Sequence, residues 1–297
     1  MPEATNFFIK LFADDTFLCA QNHNLLRLEN EVNLELHKVF IWLASNKLTL
    51  NIGKSKFMFF SNKKKNIREL NIKINEKKLD KCDSYKYLGV IFDKNLSWQP
   101  HVEYISGKIS KACGALSKIR HSVDIETLKS VYYALVHSYL RYGIIAWGNA
   151  TESVLKPLHS LINRIVRIMT FAPFRIGTGP IFDYLKFLNV TQIFLLETGK
   201  FVFKSKTNLL PINTIVKYFE RPAVTHRHNL RNNRQSLTTP YVLLSSSKKK
   251  SLYIKGTYMW RDMPESLKLS DSFNIYKRNL KHLILQNLNH SMFSFLN

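Results

Sequence analysis

Asp14 and Asp15 stand side by side in Phe12-Ala13-Asp14-Asp15-Thr16, with apolar, strand-like runs on both sides at residues 6–11 and 17–20. Neighbouring side chains in a strand point to opposite faces, but at the tip of a hairpin they can converge on one point in space. Two like charges there repel unless a cation lies between them. Hard carboxylate oxygens suit Mg²⁺, which takes one or two carboxylates and leaves its other positions to waters and substrate phosphates. Asp14 and Asp15 are therefore candidate metal ligands and catalytic carboxylates. A solvated Asp-Asp turn is the alternative reading. The apolar flanks and the aromatic-Ala pair ahead of the acids favour the site.

Other candidates are weaker taken singly. Lys54 and Lys56 lie where a turn leads into a strand, residues 46–60, and read on residue type as solvated turn lysines. Tyr85-Lys86-Tyr87-Leu88-Gly89-Val90-Ile91-Phe92-Asp93 reads as one strand. Gly89 in its middle weakens it unless a backbone must approach closely there. Lys108, Lys111 and Lys118 lie on other faces of one helix than its apolar stripe. His226 and His228 flank Arg227, with no Cys or acid at ligand spacing. Phosphate contact or a plain loop suits that pair better than a metal.

These residues need elements to hold them. Leu25, Leu28, Val32, Leu36, Val39 and Leu43 recur at spacings of three and four, predicting an amphipathic helix over about 24–45. Residues 70–74 and 77–79 alternate around Asn75-Glu76, which predicts a short hairpin. From Val102 onward the chain turns helical, with Val102, Ile105, Ile109, Ala112, Leu116 and Ile119 on one stripe. Asp124 can cap a second helix carrying Leu128, Val131, Leu135 and Tyr139. A third runs from about 152 to 170 with Leu155, Leu158, Ile162, Ile165 and Met169. Ala172-Pro173-Phe174, with Gly177, Gly179 and Pro180 just beyond, marks an internal boundary. Helices follow near 181–188 and 191–206, and a last one at about 272–287. Lysine-rich or arginine-rich loops are expected at 63–66, 225–234 and 245–251. The fold class is α+β: antiparallel hairpins plus a helix over 1–98, a helical bundle over 99–175, and a mixed, mainly helical, basic region over 176–297.

The 297 residues are long enough for one large or two ordinary domains, and 45% hydrophobic with 12% aromatic is globular composition. Net charge is +23, and it is unevenly placed: residues 51–297 carry 40 basic side chains against 15 acidic. Such a field favours a polyanion, and nucleic acid is the natural partner. The basic residues are not gathered beside an apolar anchor, which disfavours a membrane surface. Cys19, Cys82 and Cys113 are widely spaced, so neither a disulfide framework nor a zinc site is indicated and a reducing intracellular compartment fits. No apolar run reaches membrane-spanning length, and Met1-Pro2-Glu3 does not open a signal peptide.

Phe-Ala-Asp-Asp between two hydrophobic strands resembles the metal-binding palm motif of reverse transcriptases, in the form used by non-LTR, jockey-like retrotransposons. Three further segments fit the resemblance in order. Leu48-Thr49-Leu50-Asn51-Ile52-Gly53-Lys54-Ser55-Lys56 resembles the family's Leu-x-Leu-Asn-x-x-Lys-Ser-Lys stretch. Tyr87-Leu88-Gly89-Val90, followed by Asp93 and Leu96-Ser97-Trp98, resembles the primer grip. Gly256 and Trp260 before Pro264, then Ser272-Phe273 and a basic helix, resemble the tail of many such elements.

The resemblance implies two-metal nucleotidyl transfer, with Mg²⁺ on Asp14 and Asp15 and Lys54 near the incoming triphosphate. Tyr87, Leu88 and Gly89 would meet the primer, and Lys108, Lys111 and Lys118 of a thumb-like bundle would contact nucleic acid. RNA template and DNA primer are the implied partners, in nucleus or cytoplasm, with no membrane. Family members also use a palm aspartate on a strand upstream of the hairpin, and fingers that hold the template. The acid that precedes Asp14 is Glu3, poorly placed for that role. The expectation is thus a 5′-truncated reverse transcriptase, inactive alone unless another chain supplies the missing half. The alternative is a non-catalytic basic nucleic-acid-binding protein derived from such an element.

Overall fold

The computed structural model describes residues 5–61, 68–207, 209–210 and 252–286. The lysine-rich loops at 63–66 and 245–251 and the histidine-flanked passage at 225–234 lie outside the described residues. The chain divides into two compact units, Met1–Leu96 and Ser97–Asn297. The fold is α+β, with short two-stranded sheets in the first unit and helices through the second.

In the first unit, strands β1 (Phe8–Phe12) and β2 (Asp15–Cys19) form an antiparallel hairpin. Helix α1 (Leu25–Ser45) follows, its start fixed by Asn24, whose side chain accepts from the Leu26 and Arg27 amides. Strand β3 (Lys56–Phe57) pairs in parallel with β6 (Asp80–Lys81), and β4 (Lys73–Ile74) pairs antiparallel with β5 (Lys77–Lys78). Asn75 and Glu76, both at positive φ, make the two-residue turn expected between them. The core of this unit gathers Leu36 with Leu70, Ile72, Ile74 and Leu79, and Leu18 of the hairpin packs against it.

Polar side chains of α1 fix the surrounding segments more directly than its apolar stripe does. The Glu29 carboxylate takes the Arg68 guanidinium at 2.8 Å and the Asn71 amide at 3.1 Å. Asn33 donates to the Asn71 carbonyl and accepts from the Lys73 amide. Glu35 accepts from the Asn6 amide at 2.8 Å and from Lys38 at 2.7 Å. These bonds, with that of Thr5, hold the Glu35 carboxyl down at about 2.

Residues 85–93 depart from the single strand that the sequence suggests. They form a hairpin, β7 (Ser84–Tyr87) against β8 (Val90–Asp93), closed by Leu88 at φ 45° and Gly89 at φ 81°. Two positive φ values in a two-residue loop match the twist of the strands they join, which is why glycine stands there.

The second unit is built from α2 (Gln99–Ile119), α3 (Ile125–Tyr132), α4 (Ser138–Arg141), α5 (Ile144–Trp147), α6 (Glu152–Thr170), α7 (Gly179–Leu185) and α8 (Val190–Lys206). Helices Leu252–Asp262, Glu265–Lys268 and Phe273–Gln286 also belong to it among the described residues. One core draws on residues from Val102 to Ile284, so helices on both sides of the 172–180 turn share it. Helix α8 is apolar around most of its circumference, as a helix buried on all sides must be, and a capping box of Asn189 and Gln192 starts it.

The stripe expected after Asp124 also needs correcting. Leu128 is buried, but Leu135 and Tyr139 are exposed, and Tyr132, Val136 and Leu140 are buried in their place. A π-helical turn over Tyr133–His137 joins α3 to α4. Its wider winding turns every fourth residue inward, a phase shift that a 3.6-residue template cannot anticipate.

Candidate functional site

The hairpin register sets Phe12 opposite Asp15, leaving Ala13 and Asp14 as a two-residue loop. Ala13 sits at φ 50°, a conformation that costs a residue with a Cβ on the order of 1–2 kcal/mol and that clusters at functional sites. Asp14 thus occupies the turn and Asp15 opens β2, both exposed. Leu18 anchors the hairpin in the core of the unit, and Glu35 ties the segment ahead of β1 to α1 through the Asn6 amide.

The second hairpin lies alongside. The Tyr87 ring is 5.6 Å from that of Phe17, centroid to centroid, with the planes 38° apart. Burial first, and then the Asp15 charge, raise the Tyr87 phenol above its ordinary value. Tyr87 immediately precedes the Leu88-Gly89 turn, so a strained turn stands beside a pair of exposed carboxylates.

Lys54 closes a 3₁₀ turn, Ile52–Lys54, that Asn51 caps by accepting from the Lys54 amide at 3.1 Å. Its exposed side chain belongs to an element separate from both hairpins. For Mg²⁺ the donor chemistry at Asp14 and Asp15 fits, since such ions take one or two carboxylates beside water and phosphate oxygens. No group of three or more His, Cys, Asp or Glu among the described residues could hold a metal.

Lys108, Lys111 and Lys118 are exposed on α2 in the second unit, opposite its buried stripe, with the Lys108 ammonium 5.7 Å from the Tyr104 ring. A further charged cluster in that unit escapes a reading by periodicity. Glu197 of α8 is held at 2.8 Å by both Arg141 and Lys200, and Lys200 is buried. His137 lies close enough to feel Arg141, Glu197, Lys281 and Lys200. The sequence signal for it is the Glu197-x-x-Lys200 pair within the mostly buried stretch of α8. No described helix is long and apolar enough to cross a membrane.

No family model matches the chain, and no solved structure does. Curated relatives do match. The "RNA-directed DNA polymerase from mobile element jockey" of Drosophila funebris is 25% identical over 178 residues, 58% of this chain and 19% of the relative. Its Drosophila melanogaster counterpart is 22% identical over 181 residues, 60% of this chain and 20% of the relative. The "Probable RNA-directed DNA polymerase from transposon BS" of Drosophila melanogaster is 30% identical over 99 residues, 32% of this chain and 11% of the relative. The chain thus spans about a fifth or less of the length of these relatives. The ordered motifs and these matches agree: the chain is similar to part of the RNA-directed DNA polymerases of jockey-like mobile elements.

Proposed function

We propose that the first unit is palm material of such a polymerase, presenting Asp14 and Asp15 to Mg²⁺, and that the helices of the second unit contact nucleic acid as a thumb does. The observation that supports this most is the Asp14-Asp15 tip with Tyr87 and its turn at its side. When bound, Mg²⁺ supplies charge neutralisation at the transferring phosphate. The chain's own groups do the rest: Asp14 and Asp15 hold the ion, Tyr87, Leu88 and Gly89 seat the primer end, and Lys54 faces the triphosphate. Lys108, Lys111 and Lys118 meet phosphates, and RNA template and DNA primer are the substrates. Two exposed carboxylates alone hold Mg²⁺ weakly, and no third ligand joins them among the described residues. On this reading the site needs a further acid beside Asp14 and Asp15, and these two carboxylates alone do not support polymerisation.

A second reading, a basic nucleic-acid-binding protein without catalysis, is favoured by the 40 basic against 15 acidic side chains past residue 50. Primer extension on poly(rA)/oligo(dT) with Mg²⁺ and dTTP, for the chain and its Asp14→Asn/Asp15→Asn variant, tests whether the two carboxylates support catalysis in this chain. Incorporation by the parent alone makes the two carboxylates catalytic and overturns the claim of incompetence. No incorporation, with salt-sensitive nucleic-acid binding in both proteins, supports a polymerase-derived binder.

A further inference from the structure

A groove of about 520 Å³ opens in the second unit between the end of α6, the start of α3, and α7. Ile125, Leu128 and Met169 form part of its wall, with Arg120, Phe171 and Tyr184 beside them. Phe171 and Tyr184 are exposed, and Phe174, on the loop between α6 and α7, is 87% exposed. Two of these rings carry guanidinium groups: Arg120 stands 4.7 Å from the Phe171 centroid and Arg167 stands 5.3 Å from that of Phe174. Both arginines are fixed in place, Arg120 by the Ile168 carbonyl and His121, Arg167 by the Ile176 carbonyl. Phe171 ends α6 in the left-handed region, at φ 56°, where glycine is the usual choice. The chain thus holds a large ring at the mouth of the groove on a backbone that disfavours any side chain.

The charge around the groove selects its occupant. Of the nearby acids, Asp124 is engaged in capping α3 and Glu126 is paired with Lys129 at 2.8 Å. Asp183 lies on α7, while Arg120 and Arg167 stand against the Phe171 and Phe174 rings. Exposed aromatic faces with fixed arginines and a positive margin are what unpaired bases bind: any base stacks on a ring, while the cations follow its phosphates. A duplex keeps its bases stacked on each other and offers none of them to Phe174 or Tyr184.

We infer that this groove is a seat for unstacked bases of single-stranded nucleic acid, at which Phe171, Phe174 and Tyr184 stack and Arg120 and Arg167 take the adjoining phosphates. The inference rests on the nucleic-acid part of the proposed function and not on its catalytic part, so failed primer extension leaves it intact. The test is fluorescence anisotropy of the full chain with a labelled oligo(rU) strand and with a labelled duplex of equal length. The parent is compared with Phe174→Ala/Tyr184→Ala and with the conservative Phe174→Tyr/Tyr184→Phe. Both rings are largely exposed, so folding does not depend on them, and thermal melting verifies this.

The expected result is a loss of single-strand affinity of about ten-fold or more in the alanine variant, from the stacking lost per base. Duplex affinity stays within about two-fold, and the conservative variant keeps parental binding to the strand. Equal losses on strand and duplex, or unchanged binding to both, overturn the inference. The second of those outcomes is the one expected if the groove receives a protein segment. A parent chain that binds neither probe overturns the inference together with the nucleic-acid part of the proposed function.

Discussion

The Tyr87 ring lies 5.6 Å from that of Phe17, two residues past Asp15, and this contact brings the hairpin that carries the carboxylates to the one that ends in Leu88-Gly89. A carboxylate beside a phenol disfavours the phenolate, and part of the rise at Tyr87 has that origin. Asp15→Asn is expected to bring the Tyr87 phenol down toward its ordinary value, leaving the share due to burial. Titration of Cζ-labelled tyrosine by NMR reads this directly. An unmoved Tyr87 resonance would mean that the two hairpins are not neighbours in solution.

Glu35 is a second lever on the same tip. Its carboxylate receives the Asn6 amide and Lys38, and a charge-assisted bond of this kind is worth about 1.5–3 kcal/mol. Glu35→Gln should destabilise the first unit by about 1–2 kcal/mol and speed amide exchange at Asn6 and along β1. The sign with pH follows from a carboxyl held at about 2: the contribution is complete above about 4.5 and is lost as pH falls toward 2. Exchange rates at β1 that match the parent's would assign the anchoring elsewhere.

How far the sequence was legible depended on which physical rule placed each residue. The Asp14-Asp15 hairpin, α1 and α6 follow from alternation and from three-and-four spacing, and the structure has them where those rules set them. Residues 85–93 read as one strand because the pattern Val90-Ile91-Phe92 extends Tyr85-Lys86-Tyr87 without a polar break. Only the backbone angles of Leu88 and Gly89 reveal the turn. Leu135 and Tyr139 fall outside the buried stripe because one π-helical turn shifts the phase of everything after it. Glu29, Asn33 and Glu35 position the first unit through bonds to backbone groups at sequence separations of 29 to 42, which no local pattern contains.

His137 makes the second unit sensitive to acid. Burial, helped by Arg141, lowers it to about 4 from an ordinary 6.5. The unfolded chain therefore takes up the proton first, and stability falls as pH drops from about 6.5 to about 4. His159, lowered chiefly by burial, acts in the same direction. The loss attributable to His137 is roughly 2–3 kcal/mol across that window. Denaturant melts at pH 7 and pH 4.5 should show this slope in the parent and a shallower one in His137→Gln. Equal slopes would mean that the imidazole is already solvated.

Gly148 tests how tightly α5 meets α8. A Cβ built there comes within 2.7 Å of the Ile144 carbonyl oxygen and 2.8 Å of the Phe194 ring, neither of which can swing aside. Gly148→Ala should cost about 1–3 kcal/mol in thermal unfolding, as overpacking does. A loss below about 0.5 kcal/mol, the range of neutral surface changes, would show that this corner of the core yields.

Leu88 sets stability against use. At φ 45° it occupies the first position of a two-residue turn that Asn or Gly fills at lower cost, and the left-handed region penalises a side chain such as leucine by about 1–2 kcal/mol. Leu88→Asn should therefore stabilise the first unit, by up to about 1 kcal/mol once the lost leucine contacts are counted. If the turn seats a primer end as proposed, the leucine side chain is kept for what it touches there. The more stable variant should then bind primer–template more weakly, by about three- to ten-fold, a loss of roughly 0.7–1.4 kcal/mol. Melting temperature and duplex affinity, measured on one preparation, separate the two effects. A variant that gains stability and binds as the parent does leaves the strain at Leu88 without a role in nucleic-acid contact, and the primer-grip assignment then rests on Tyr87 and the Gly89 backbone alone.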